Sequence, residues 1–306
     1  MDLCKTKKSL FRIVLLSLLL SLTCSMGWGA ANRVYLSPKN GNDSNSCSLA
    51  KPCRQFNRAL QQVSNDGEII VLDSGTFTPF IINKPVTITA PDGVFAGVIE
   101  TTTGAAIDVF PPGANDTVVI RGFTISGPGV SEGIVQQQGN LHIENCVIDG
   151  LGIGINTTSG SVFMKDVIAR NNDTGVALDS TGSSSTITID HCTFEHNKSD
   201  GLAAIGVKVS IRDSVASGNG SRGIDFQQSG EINIENCLMA NNNVGVFALE
   251  FSSGLTPIVR ISNSTITNNE TGLSQAGLAQ ILSRGNNTLE GNTTQTSGTI
   301  GSFTAH

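Results

Sequence analysis

A six-residue phrase, Ile143-Glu144-Asn145-Cys146-Val147-Ile148, returns as Ile234-Glu235-Asn236-Cys237-Leu238-Met239. Weaker versions open at Ile120, Met164, Ile189, Ile211 and Ile261, so the seven copies are spaced by 23, 21, 25, 22, 23 and 27 positions. Self-similarity with a period of about 20 to 50 residues marks a stack of like units, each unable to bury its own apolar face alone. That constraint excludes most other folds before any single residue is considered.

The columns of the repeat define the unit. Two positions before each phrase stand Val118, Leu141, Val162, Ile187, Val209, Ile232 and Val259, and each phrase opens with Ile or Met. The residue between varies: Val119, His142, Phe163, Thr188, Ser210, Asn233 and Arg260. Alternation with period two, rich in β-branched residues, is a strand with one buried face. The next column but one, Gly122, Asn145, Asp166, His191, Asp213, Asn236 and Asn263, suits a bend, because Asn and Asp tolerate left-handed backbone. A second short strand then buries Ile125, Ile148, Ala169, Phe194, Ala216, Met239 and Ile266.

A further punctuation is Gly before an aliphatic residue, at Gly133, Gly154, Gly175, Gly201, Gly223, Gly245 and Gly272. Asn172, Asn197, Asn219, Asn242 and Asn269 stand three or four residues upstream of five of them. Positive φ at these glycines is the expected reason for them, turning the chain into a third strand. The predicted fold is all-β: a right-handed parallel β-helix, a three-sheet solenoid of about nine to ten coils stacked about 4.8 Å apart. An antiparallel sandwich also has many short strands, but it does not return one residue class to one column seven times.

Residues 1–31 read as a signal peptide, with Lys5, Lys7, Lys8 and Arg12 before the apolar run Ile13 to Leu22 and a small-residue site at Gly29-Ala30-Ala31. The run is too short for a membrane span. The expected location is secreted or periplasmic, with no membrane span after cleavage. Without Asp2 and the four basic residues of that segment, the 19 basic and 25 acidic side chains become 15 and 24, a charge of −9. This argues against nucleic acid as a partner. In an exported chain, Cys47 and Cys53, bracketing a short loop, read as a disulfide. Cys146, Cys192 and Cys237 share an inward column two coils apart, about 9.6 Å at the strand spacing. That exceeds the roughly 7 Å a disulfide allows, so they read as buried free thiols.

Residues 32–66 are the expected N-terminal cap, with a strand at Val34-Tyr35-Leu36 and an amphipathic helix within Arg54 to Val63. Such a cap covers the raw edge of the first coil. The solenoid proper spans 67–285, and 286–306 reads as a closing coil and flexible tail. The run Tyr35-Leu36-Ser37, Gly41-Asn42-Asp43, Pro52-Cys53-Arg54 and Ala59-Leu60 is similar to the cap of bacterial pectin-lyase-like β-helix proteins. The Asn-x-x-Gly-aliphatic coils resemble their right-handed parallel β-helix repeats, and the resemblance covers roughly Val34 to Asn292. That resemblance implies a superfamily of pectate and pectin lyases, polygalacturonases, epimerases and exported proteins without known activity.

Chemistry concentrates in one outward column whose signs alternate: Arg121, Glu144, Lys165, Asp190, Arg212 and Glu235. One reading is a stabilising ladder in which each neighbour pairs with the next. The other is a lyase-like site, with Glu144, Asp190 and Glu235 for Ca²⁺ and Lys165 or Arg212 abstracting a proton. Catalytic candidates are Lys165, Asp190, Arg212 and His191; no metal is expected, and Ca²⁺ enters only under the lyase alternative. The chain lacks the Arg-x-Pro context of lyases that resemble this fold. It also lacks the Asp-Asp, Gly-His-Gly and Arg-Ile-Lys motifs of polygalacturonases. His191 and His196 fall at turns. Asn-x-Ser/Thr sequons at Asn172, Asn197, Asn219 and Asn269 are explained by turn chemistry. The expected function is an exported, monomeric β-helix without an identifiable catalytic site, binding or presented to extracellular polysaccharide or another surface partner. The alternative is a polysaccharide lyase, glycoside hydrolase or epimerase acting on uronate-containing glycans.

Overall fold

A computed structural model describes residues 32–179, 185–251 and 255–304; the expected signal segment lies outside them. The described residues from Arg33 to Thr304 form one compact unit. Three parallel sheets of 12, 10 and 10 strands stack about ten coils, accompanied by one short helix. Sheet 1 holds the strands of the repeated phrase, such as Asn140–Glu144 and Thr186–Asp190. Sheet 2 follows the bend, as at Val147–Asp149, and sheet 3 follows the next turn, as at Thr174–Asp179. The register is one residue class to one column: Ile143 lies opposite Met164, and Met164 opposite Ile189. Among the described residues no helix is long and apolar enough to cross a membrane.

The inward columns of all three sheets meet in a continuous core that includes Ile143, Ile148 and Ile155, each fully buried. The bend column adopts left-handed backbone throughout: Asn145, Asp166, His191, Asp213, Asn236 and Asn263 have φ between 51° and 55°. Cys146, Cys192 and Cys237 are buried free thiols, and burial pushes them up to about 11, 12 and 11. They act as small hydrophobes rather than nucleophiles.

The turn into sheet 3 is built differently from the expectation. Positive φ falls on Gly150, Asn171, His196, Gly218, Asn241 and Asn268, not on the glycines that precede the third strand. Those glycines are required by close approach instead. A Cβ on Gly223 would stand 2.7 Å from the carbonyl oxygen of Gly245, and one on Gly201 would stand 2.7 Å from that of Gly223. Successive coils therefore touch backbone to backbone along this line. Gly223→Ala is expected to cost about 1–3 kcal/mol through overpacking, although φ at Gly223 is unexceptional; a denaturant titration of the variant checks it.

Between those two positions runs a buried asparagine ladder. Asn197 donates its backbone N–H and its Nδ2 to Asn219 Oδ1 at 3.1 and 2.9 Å. Asn219 treats Asn242 likewise at 2.9 and 3.0 Å, while its Nδ2 also donates to the carbonyl of Phe194. The ladder continues through Asn269 to Asn292. The sequons at Asn172, Asn197, Asn219 and Asn269 thus lie on side chains no more than 2% exposed, with no room for a glycan.

Among the described residues, one short helix accompanies the sheets, near the first coils. Strand β1 (Arg33–Leu36) pairs with β2 (Gly67–Val71), the first strand of the solenoid. Helix α1 (Phe56–Gln62) buries Phe56, Ala59 and Leu60, with Phe56 stacked on Phe80 at 4.1 Å. Cys47 and Cys53 are disulfide-bonded, Cα atoms 4.6 Å apart. At the other end, strand pairing runs on through Thr294–Ser297 and Ile300–Gly301, within the Thr/Ser/Gly segment where the sequence pattern dissolves.

Candidate functional site

The outer face of sheet 1 brings the sequence candidates together. Strand register places Arg121, Glu144, Lys165, Asp190, Arg212 and Glu235 in one line. Beside it runs the other outward column, His142, Phe163, Thr188, Ser210 and Asn233. Period two along each strand puts Phe163 and Lys165 on the same face.

The ladder does not pair uniformly. Arg121 Nε donates to Glu144 Oε2 at 2.8 Å. Arg212 grips Asp190 with both arms, Nε to Oδ1 and Nη2 to Oδ2, each at 3.0 Å. Among the described residues, Lys165 and Glu235 form no ion pair within 4.0 Å. This corrects the reading of a ladder in which every neighbour pairs. An arginine fork takes both oxygens of one carboxylate, so Glu144 and Asp190, the strand neighbours of Lys165, are each engaged from the far side. Lys165 is left as an exposed cation between two neutralised acids.

Asp190 is 4% exposed. The Arg212 ion pair, then the hydrogen bond from His191 at 2.8 Å, hold its carboxyl below the usual range despite burial. Arg121 does the same for Glu144. A carboxyl depressed in the folded state stabilises above its ordinary value and stops doing so as pH falls. Asp190→Asn is therefore expected to be less stable than the parent at pH 7, the gap closing as pH drops below 3.8. Thermal melts at the two pH values check it; a gap that widens in acid would contradict it.

His191 sits in the left-handed bend, its side chain 56% exposed. Asp190, His191 and Asp213 bring one ligand atom each within 4.8 Å of one another. Both Asp190 oxygens are already held by Arg212, and Asn236 Nδ2 donates to Asp213 Oδ1. Asp190 is thus paired with a cation, and one oxygen of Asp213 is tied to an amide.

The sequence reading passed over one pair on this face. The rings of His142 and Phe163 lie 5.5 Å apart at an interplanar angle of 59°. Phe163 is a half-buried aromatic ring on this outward face. Its signal was its place in a variable outward column. An open groove of about 630 Å³ lies elsewhere, at the cap, among Asn57, Leu60, Phe80, Ile81 and Lys84. Its lone cation already donates to the carbonyl of Val63 at 3.0 Å.

Fold and face together define a parallel β-solenoid with a half-polar, half-charged outer sheet. The chain belongs to the family described as right handed beta helix region, whose profile it matches over residues 99–207 and 135–294. An alginate lyase from Paenibacillus sp. str. FPU-7 superimposes with a TM-score of 0.63 at 15% identity, over 88% of this chain and 99% of that one. The A-module of the mannuronan C-5 epimerase AlgE6 of Azotobacter vinelandii gives 0.52 at 15% identity, over 90% of each chain. At such identity the likeness is one of fold. No curated protein sequence matches the chain.

Proposed function

We propose that this protein is an exported polysaccharide-binding β-helix, and that the outer face of sheet 1 binds a glycan bearing carboxylates. The observation that carries it is Lys165: an exposed cation without an ion pair among the described residues, on the same face as the Phe163 ring. A sugar ring laid on Phe163 presents its substituents to Lys165, and a uronate carboxylate completes the charge alternation that the arginines leave unfinished. Thr188, Ser210 and Asn233 continue the face with hydroxyl and amide groups for further ring hydroxyls. A chain at −9 repels a polyanion at long range, so binding is expected to need salt to screen that repulsion and a local cation to make the contact. The fold is shared with an alginate lyase and a mannuronan epimerase, which supports a uronate polymer as the first to try. The basic n-region, apolar run and small-residue site before Asn32, with the Cys47–Cys53 disulfide, support export.

Binding rather than turnover is favoured because Arg121 and Arg212 engage Glu144 and Asp190, two of the three carboxylates a Ca²⁺-dependent lyase would need free, which leaves Glu235 alone. The test uses alginate and polygalacturonate against a neutral dextran, scoring binding and unsaturated-uronate absorbance with and without Ca²⁺. We expect binding to a uronate polymer and no product. Lys165→Ala should weaken binding about tenfold, or ~1.4 kcal/mol, while Lys165→Arg retains it. Ca²⁺-dependent product that vanishes with Lys165→Ala would establish the lyase instead.

A further inference from the structure

The outer face of sheet 3 carries a second polar construction, distinct from sheet 1. Asp225 points outward by strand alternation, between Ala203 and Phe247 of the neighbouring coils, yet it is only 3% exposed. Its Oδ2 accepts from Arg222 Nη1 and from Gln227 Nε2, each at 2.6 Å. Its Oδ1 is buried and accepts no hydrogen bond among the described residues. A buried oxygen without a donor is costly, so the arrangement is incomplete as it stands. Arg222 closes over it, its guanidinium 4.3 Å from the Phe247 ring centroid. One coil earlier Asp200, also buried, accepts the backbone N–H of Arg222 at 3.0 Å.

The same outward column supplies space next to the incomplete oxygen. It reads Asn156, Ala177, Ala203, Asp225, Phe247. Two half-buried alanines stand between Asn156 and Asp225, and their short side chains are what we read as a shallow trough. Two acids against one arginine disfavour an anionic occupant, whereas a carboxylate oxygen beside a guanidinium suits neighbouring hydroxyls, one donating to Asp225 and one accepting from Arg222.

We propose that sheet 3 holds a second glycan subsite, in which Asp225 Oδ1 accepts a hydroxyl of a neutral sugar whose ring lies over Ala203 and Ala177. Arg222, with its side chain 29% exposed, swings to admit the ring and then donates to the adjacent hydroxyl oxygen. Burial, then the charge of Asp200 against the pull of Arg222, pushes the Asp225 carboxyl up; a hydroxyl donor relieves the same strained oxygen. The site selects uncharged sugar units, the opposite of what Lys165 selects, and stands whether or not sheet 1 binds uronates.

The experiment is calorimetric titration of the full mature chain with xylohexaose, cellohexaose, mannohexaose and maltohexaose. At least one is expected to bind. Asp225→Ala, which removes the acceptor, and Ala203→Leu, which fills the trough and leaves the carboxylate in place, should each weaken it at least tenfold. Lys165→Ala should leave it unchanged. Melting curves identify a variant that fails to fold, and Ala203→Leu then decides. The proposal is overturned if no hexasaccharide binds, if binding survives in a folded Ala203→Leu variant, or if it is lost with Lys165→Ala.

Discussion

Asn219→Asp is expected to be among the most damaging single substitutions in this chain, costing about 3–5 kcal/mol, as breaking a buried polar network does. The change is isosteric, so packing is not at issue. Asn219 is 2% exposed, and its Nδ2 donates to the Phe194 carbonyl and to Asn242 Oδ1 at 3.1 and 3.0 Å. Aspartate keeps the acceptor that Asn197 uses but turns its second oxygen against those two acceptors. A carboxylate so placed has its folded-state pKa raised, so the lost stability is recovered in part as pH falls toward that value and the group takes a proton. Denaturant titrations at neutral and acid pH measure both. A loss under about 1 kcal/mol, the worth of an ordinary hydrogen bond, would mean the ladder does not bear on stability.

The second large effect tests the register. Ile234 is 1% exposed, within sheet 1, while its neighbour Asn233 points out. Ile234→Asp puts an unpaired charge between coils and should cost several kcal/mol, at least about 3. Asn233→Asp, one residue away and of the same charge, should stay within about 0.5 kcal/mol, as surface changes usually do. Equal effects of the two would overturn the assignment of inward and outward columns.

Much of this architecture is legible because a solenoid writes each structural requirement once per coil. The inward positions, the left-handed bend and the spacing of the thiols recur often enough that a single odd residue, such as His191 in the bend, does not blur them. The glycine column shows the limit. A glycine needed for positive φ and one needed for want of a Cβ look alike in a sequence, and only the 2.7 Å approach to the next carbonyl tells them apart. The charged column shows another. Alternating signs give neighbours, but a long arginine between two acids can reach either one; Arg212 takes Asp190 rather than Glu235 and Arg121 takes Glu144, which leaves Lys165 without an ion pair among the described residues. Asp225 was invisible for a third reason. Period two places it outward, and its burial depends on how Arg222 and Gln227 fold back over it.

Function is less legible than fold because the outer columns vary where the inner ones repeat. Phe163 stands among Thr, Ser and Asn residues, and nothing local marks it as a platform until its ring is seen against His142.

The direct measurement is lysine acetylation of the mature protein, read by peptide mass spectrometry with and without bound uronate polymer. Lys165 lies on the proposed face, whereas Lys39, Lys51 and Lys198 lie elsewhere and serve as internal controls. Lys165 should be acetylated several times more slowly in the presence of the polymer, with the three controls unchanged. Protection of the controls with Lys165 still fully reactive would place the glycan elsewhere and contradict the account.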